Sequence, residues 1–147
     1  MAARATIQKV INSLKNVKNF ERIGQYISVV DAKEDSWKGT MPVLQEHLDA
    51  NGTLHGGCTA ALIGAVSNYG FVSEPGPIID VSVSYIGTAK LGDVLTIESS
   101  GLDTKGAIRF ADVIIKNQDG KLIAKGSHTS FYRKPLKYGS KLLLSRY

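Results

Sequence analysis

The sequence has one cysteine, Cys58, among its 147 residues, so no disulfide can form within the chain. It also lacks an uninterrupted apolar run of the roughly 20 residues that a membrane-spanning helix requires. The nearest approach is the uncharged stretch from Gly56 to Val72, whose glycines, serine and asparagine are more typical of a buried helix. A lone cysteine is compatible with a reducing compartment, and we expect a cytoplasmic or mitochondrial location.

Acidic residues are absent from both ends of the sequence. Before Glu21 all charges are basic, as they are in a mitochondrial targeting sequence. The same segment carries a helical stripe of apolar residues, and this favours an amphipathic helix of the domain from about Thr6 to Asn19. The stripe consists of Ile7, Val10, Ile11, Leu14, Val17 and Phe20.

Residues 133–147 hold five basic residues and no acid, which equals the whole net charge of +5. No aromatic residues alternate with these charges on a recognisable module, so we expect no nucleic acid partner. We predict one domain at 1–132 followed by a solvated basic tail. A weak peripheral contact of this tail with phosphates or anionic lipid is the alternative.

The pattern between these ends is that of an α+β domain. Two runs rich in β-branched residues, 26–34 and 36–44, predict a hairpin, and a loop then leads to a long apolar helix at 58–72. Because the later connectors are short, we expect the last four strands to be antiparallel neighbours in sequence order. These strands are predicted at 78–87, 93–103, 108–117 and 122–132.

Four motifs span most of the chain: NFERIG from Asn19, GTLHGG from Gly52, IDVSVSYIGTAKLGD from Ile79 and GKLIAKGSHT from Gly120. Together they resemble the PaaI-like group of hotdog-fold acyl-CoA thioesterases, in the subgroup of thioesterase superfamily member 2. The resemblance implies an antiparallel sheet wrapped around the central buried helix. It also implies a homodimer or homotetramer joined edge to edge, and an acyl-CoA substrate hydrolysed without a metal or an organic cofactor.

Thioester hydrolysis needs a donor for the carbonyl oxygen, and the start of the central helix offers one. The first N–H groups of a helix have no partner inside it and lie at the positive end of its dipole. A glycine there lets the thioester approach closely. The resemblance implies that the N–H of Gly56 is this donor and that Gly57 contacts substrate, whereas a plain glycine turn into a helix is the structural alternative.

The residues expected to activate water depart from the pattern of the resembled family. In the resembled family a carboxylate on the central helix orients the water, but its position falls at Gly64, which could instead widen the acyl channel. The position of a helper serine falls at Ile78, and that of an asparagine falls at Asp49. Asp49 is therefore a candidate base with a raised pKa, or a brace of the loop through turn hydrogen bonds.

Two other functions stay open. One, which follows from the missing helix carboxylate, is a protein that binds acyl-CoA or lipid without hydrolysing it. The other is an enoyl-CoA hydratase, whose family has four residues between an aspartate and a histidine in this loop. Here five residues separate Asp49 from His55, which argues against hydration.

Coenzyme A contacts are predicted from the resemblance alone. The basic family residue that starts the second contact segment is replaced by Asp103, which weakens that contact. The predicted contacts are Asp80, Tyr85, Ile86, Gly87, Thr88, Ala89 and Lys90 along one strand and the turn after it, and Lys105, Gly106, Ala107 and Ile108 at a hairpin.

The histidines and the cysteine have mainly structural interpretations. His55 is expected to satisfy backbone groups of the loop or to touch substrate, and His47 and His128 are expected at the surface or in strand packing. Cys58 lies near the helix start, where the dipole could lower a thiol pKa, but core packing is favoured. The spacing of these side chains matches no metal site.

Overall fold

A computed structural model describes residues 2–33, 35–68 and 76–131, apart from the side chains at 2, 65, 103 and 104. The predicted basic tail at 133–147 lies outside these residues. The elements in chain order are α1 (Ala2–Ser13), β1 (Ser28–Ala32), β2 (Ser36–Pro42), α2 (Gly56–Ala61), β3 (Ile78–Tyr85), β4 (Val94–Lys105), β5 (Ile108–Lys116) and β6 (Leu122–Phe131).

The strands form one antiparallel sheet in the order β1-β2-β4-β5-β6-β3. The predicted hairpin and the four later strands are confirmed, but their predicted order is wrong for β3, which pairs with β6 and lies at an edge. The connector 86–93 crosses the end of the sheet instead. Its eight residues can span roughly 28 Å, and the three strand spacings from β3 to β4 need only about 14 Å, so a short connector does not force neighbours.

The N-terminal amphipathic helix is present but differs in extent from the prediction. Helix α1 runs from Ala2 to Ser13 and is followed by a 3₁₀ turn at Leu14–Asn16. Ile7, Ile11 and Leu14 are buried in the core, as the apolar stripe predicted. Phe20 is 65 % exposed, because the helix ends before it and the helical period no longer applies.

The central helix packs against one face of the sheet, where it contacts β3 and β6, in agreement with the hotdog prediction. It begins at Gly56, continues through a π-helical turn at Leu62–Val66 and remains helical to Asn68. Ile63 packs closely against Gly126 of β6. A Cβ placed on Gly126 would lie 3.0 Å from Cγ2 of Ile63. The predicted end of this helix at Val72 lies outside the described residues.

Most of the core is aliphatic and comes from both the helix and the sheet. Fully buried members of the core include Met41, Leu62, Ile63, Leu95, Ile97, Val113 and Ile115.

No helix in the described ranges is long and apolar enough to span a membrane.

Candidate active site

The start of the central helix is fixed by the residue before it. His55 is the N-cap, with φ −62° and ψ 131°, and its Nδ1 accepts a hydrogen bond from the Gly57 N–H at 2.8 Å. The His55 carbonyl accepts one from the Thr59 N–H at 3.0 Å. The N–H and C=O of a trans peptide point in opposite directions, so the Gly56 N–H points out of the helix end. This is the geometry that an oxyanion donor requires.

Asp49 braces the loop that leads to this helix. Its Oδ1 accepts the backbone N–H groups of Asn51 at 2.9 Å and Thr53 at 3.1 Å, and its Oδ2 accepts the Thr53 hydroxyl at 3.0 Å. These bonds, chiefly the one from the Thr53 N–H, lower the pKa of Asp49. The expectation of a raised pKa is therefore wrong, because hydrogen bonds to the carboxylate outweigh its partial burial.

Gly64 is buried and lies against strand β3. A Cβ at this position would lie 3.0 Å from Cγ2 of Val81, so this side chain closely approaches the glycine. That Gly64 widens the acyl channel stays a prediction. The position also lies within the π-helical turn, and the Ser67 hydroxyl donates to its carbonyl at 3.1 Å.

The strand and turn contacts predicted from 85 to 90 border the helix start. The Tyr85 hydroxyl donates to the Gly56 carbonyl at 2.7 Å. The backbone of Ala89 accepts the Leu54 N–H at 2.8 Å, and Lys90 forms a β-bridge with Thr53. Tyr85, Ala89 and Lys90 thus lie beside the loop that carries His55 and Gly56, and Ile86, Gly87 and Thr88 connect them.

The remaining predicted contacts lie at the opposite end of the sheet. Asp80 pairs with Thr129, which pairs with Phe110 next to the β4–β5 hairpin, whereas Tyr85 pairs with Ala124 beside Ile115. From Ile115 to Ile108 the strand advances by roughly 24 Å. One protomer therefore does not bring the predicted hairpin contacts, Lys105, Gly106, Ala107 and Ile108, to the Gly56 end.

The other histidines and the cysteine are structural. His47, expected at the surface or in strand packing, is fully buried and holds the loop, because its Nδ1 accepts the Leu44 N–H at 2.9 Å and its carbonyl accepts the His55 N–H at 2.8 Å. Burial lowers the pKa of His47 and lowers that of His128, on β6, to about 4. Nothing local in the sequence signals the role of His47, because its burial depends on distant packing.

Cys58 lies in the first turn of the central helix and is buried. Burial, and to a lesser extent the charge of Glu46, raises the pKa of its thiol to about 11, so core packing and not the helix dipole decides its chemistry. Among residues 2–33, 35–68 and 76–131, no group of three or more histidine, cysteine, aspartate or glutamate side chains is placed to hold a metal ion.

A six-stranded antiparallel sheet around a buried helix with a glycine start is the architecture of hotdog-fold proteins. A sequence model of the thioesterase superfamily matches residues 51–124. Human acyl-coenzyme A thioesterase 13 is 35 % identical over 129 residues, which cover 84 % of this chain and 92 % of the relative. The chain therefore belongs to the thioesterase superfamily.

Solved structures support the same family. Zebrafish thioesterase superfamily member 2 has a TM-score of 0.82 and 30 % identity, and the match covers 88 % of this chain and 98 % of that one. A hypothetical thioesterase from Streptococcus pneumoniae, crystallised with coenzyme A, has a TM-score of 0.70 and 25 % identity over 74 % of this chain and 87 % of that one.

Proposed function

We propose that the chain is an acyl-CoA thioesterase that hydrolyses medium- to long-chain fatty acyl-CoA to a free fatty acid and coenzyme A. The observation that carries the proposal is the glycine start of the central helix, where the Gly56 N–H points outward and no Cβ blocks a thioester. The name of the human relative and the coenzyme A in the pneumococcal structure support the substrate class.

A partly exposed apolar wall supports a substrate with a long acyl chain. Val81 and Tyr85 lie on the face of β3 that contacts the helix, at Gly64 and Gly56 respectively, yet both keep a large exposed area. Burying such side chains against a chain of methylene groups is favourable by about 0.8 kcal/mol per methylene. A longer acyl chain therefore gains affinity along this wall.

In the proposed reaction, water attacks the carbonyl carbon, and the Gly56 N–H stabilises the charge that develops on the carbonyl oxygen. The carbon–sulfur bond breaks, and the departing thiolate takes up the proton that the water lost. Asp49 is the proposed group that orients the water and carries this proton. Its Oδ2 accepts one hydrogen bond, from Thr53, and an ionised carboxylate oxygen can accept another.

Release of free coenzyme A thiol tests the proposal. The purified chain is incubated with acetyl-, decanoyl- and palmitoyl-CoA, and kcat and KM are measured for each. We expect turnover above buffer, with the larger kcat/KM for the two longer chains. Absence of turnover with all three substrates contradicts hydrolysis, and a preference for acetyl-CoA contradicts the proposed chain length.

A second candidate is a protein that binds acyl-CoA without hydrolysing it. The observation that favours it is that Gly64 has no side chain where the resembled family has a helix carboxylate, and that a Cβ there would lie 3.0 Å from Val81. This candidate predicts saturable binding of palmitoyl-CoA in calorimetry and no release of thiol. Binding accompanied by thiol release excludes it.

We also propose that the active protein is a homodimer joined through β3. The outer edge of β3 pairs with no other strand in the described part of the chain, and Ile79, Val81 and Tyr85 on this strand are exposed. Antiparallel pairing of two β3 strands brings the Tyr85 end of one copy beside the Asp80 end of the other. The end of the sheet with the helix start and the end with the β4–β5 hairpin lie far apart in one protomer. In the dimer, one end from each copy then forms one complete site.

A further inference from the structure

Gly56 needs support from its neighbours if its N–H is to act as a fixed donor. Glycine occupies more of φ/ψ space than any other residue, so a donor carried by glycine is easily misaligned. Electrostatic stabilisation depends on donors that are in place before the reaction begins. The two peptide groups that flank the Gly56 Cα must therefore be held by other contacts.

The peptide before Gly56 is held from inside the helix. The His55 carbonyl accepts hydrogen bonds from the N–H and the hydroxyl of Thr59, at 3.0 and 3.4 Å. This fixes the plane that contains the Gly56 N–H. It does not fix the rotation at the Gly56 Cα, which depends on the next peptide.

The peptide after Gly56 is held from two directions. The Tyr85 hydroxyl donates to its carbonyl oxygen at 2.7 Å, and its N–H, which belongs to Gly57, donates to Nδ1 of His55 at 2.8 Å. Bonds at the two ends of one peptide group polarise each other. The chain of contacts runs from β3 through the first helical peptide to the His55 ring.

The ring of Tyr85 lies on the β3 side of Gly56. A Cβ at Gly56 would lie 3.4 Å from the tyrosine oxygen and 3.5 Å from two ring carbons. The ring therefore covers this side of Gly56 with room for one carbon atom between it and the Cα. Because Nδ1 of His55 accepts a hydrogen bond, the proton of the neutral ring is on Nε2, so the tautomer of His55 is also set by this chain.

We propose that Tyr85 is a positioning residue for the proposed hydrolysis, which holds the Gly56–Gly57 peptide so that the Gly56 N–H stays aligned with the thioester oxygen. In this role the tyrosine hydroxyl is committed to the protein and does not bind substrate. Only the expected effect of Tyr85 on turnover rests on the proposed function. The contacts of Tyr85 are present in the folded chain whether or not it hydrolyses a thioester.

The Tyr85→Phe variant tests the proposal, because it removes the hydroxyl and keeps the ring. We expect kcat for decanoyl-CoA to fall about tenfold with KM within about twofold, since the lost hydrogen bond aligns the donor and the retained ring still borders the substrate. Tyr85 is 59 % exposed, so we expect the melting temperature to change by less than about 3 °C. If Tyr85 had only a structural role, kcat would not fall while the melting temperature stays almost unchanged.

The matched control is Tyr26→Phe, which removes a hydroxyl that donates to Glu46 and not to the helix start. It should leave kcat and KM within about twofold of the wild-type values. A Tyr85→Phe variant with unchanged kcat, or with a raised KM and unchanged kcat, overturns the proposal.

Amide hydrogen exchange at Gly57 keeps the two proposals distinguishable. If the wild-type chain releases no coenzyme A, the proposed function fails, and the positioning role is decided by exchange alone. We expect the Gly57 amide to exchange about tenfold faster in Tyr85→Phe than in Tyr26→Phe, because its peptide has lost the hydrogen bond that Tyr85 donates from β3. Equal exchange rates in the two variants overturn the positioning role.

Discussion

At the residue scale, Asp49 shows how local hydrogen bonds set the properties of a carboxylate. The sequence Asp-Ala-Asn-Gly is favourable for a turn, and the turn forms with the carboxylate as its acceptor. The resulting low pKa makes Asp49 a weaker base but keeps it ionised at neutral pH. An ionised acceptor beside the helix start is suited to orienting water, and this is its proposed role.

The Asp49→Asn variant separates this role from the bracing of the loop. The asparagine oxygen can still accept the Asn51 and Thr53 N–H groups, so the fold is retained while the charge is lost. We expect kcat/KM for decanoyl-CoA to fall about 100-fold, as removal of a general base usually causes. Asp31→Asn, which changes an exposed carboxylate on β1, is the control and should retain activity. Equal activity of the two variants would remove Asp49 from the reaction.

His128 gives the stability of the protein a dependence on pH. Its pKa is lowered from 6.5 to about 4 by burial, with a smaller effect from the charge of Arg109. As the pH falls below about 6.5, the unfolded chain binds this proton and the folded chain does not. The contribution to stability is therefore complete above about pH 6.5 and is lost as the pH falls toward 4.

We expect the free energy of unfolding to decrease between pH 6.5 and 4, with His128 responsible for about 3 kcal/mol of the decrease. The measurement is urea unfolding at several pH values for the wild type and for His128→Gln, which cannot titrate. The variant should be less stable at pH 7 and show a flatter profile. Parallel profiles for the two proteins would assign the pH dependence to other groups.

At the scale of elements, the two edge strands of the sheet, β1 and β3, differ in whether another element covers them. Helix α1 covers the edge of β1: the Arg4 Nε donates to the Val29 carbonyl at 3.0 Å, and the Val29 N–H donates to Gln8 Oε1 at 2.8 Å. The Gln8 Nε2 also donates to the Ile27 carbonyl at 3.3 Å. Side chains thus satisfy backbone groups that would otherwise be open to another strand. No such cover lies over β3 in the described ranges.

The Gln8→Ala variant measures the strength of this cover. It leaves the partly buried Val29 N–H without its acceptor, so we expect a loss of about 1–2 kcal/mol in the free energy of unfolding. Lys9→Ala, at an exposed position on the same helix, is the control and should change stability by less than about 0.5 kcal/mol. Denaturant midpoints that do not differ between the two variants would show that α1 is held by its apolar face alone.

At the scale of the whole molecule, the predicted coenzyme A contacts lie in two separate groups within one protomer. The loop and helix start lie at one end of the sheet, and Asp80 and the β4–β5 hairpin lie at the other. The proposed pairing of two β3 strands joins unlike halves. Each complete site then needs a loop from one copy and a hairpin from its partner.

Mixing two defective variants tests this arrangement. Asp49→Asn impairs the loop half, and Lys105→Glu, at an exposed hairpin position, impairs the coenzyme A half. In a heterodimer, one site carries both defects and the other carries neither, so random mixing should restore about a quarter of wild-type activity. Coexpression with two different tags followed by a thiol-release assay measures this. Activity equal to the mean of the two parents would contradict shared sites.

The sequence by itself determined the elements and the start of the central helix, because their signals are local. The apolar period predicts α1 and the buried helix, the β-branched runs predict the strands, and His-Gly-Gly predicts the helix start at Gly56. Tertiary structure alone decided the place of β3 at the sheet edge, the close approach of Val81 to Gly64 and the bond from Tyr85 to Gly56. These features depend on groups far apart in the chain, 29 residues in the last case, and no pattern within one element specifies which of them meet.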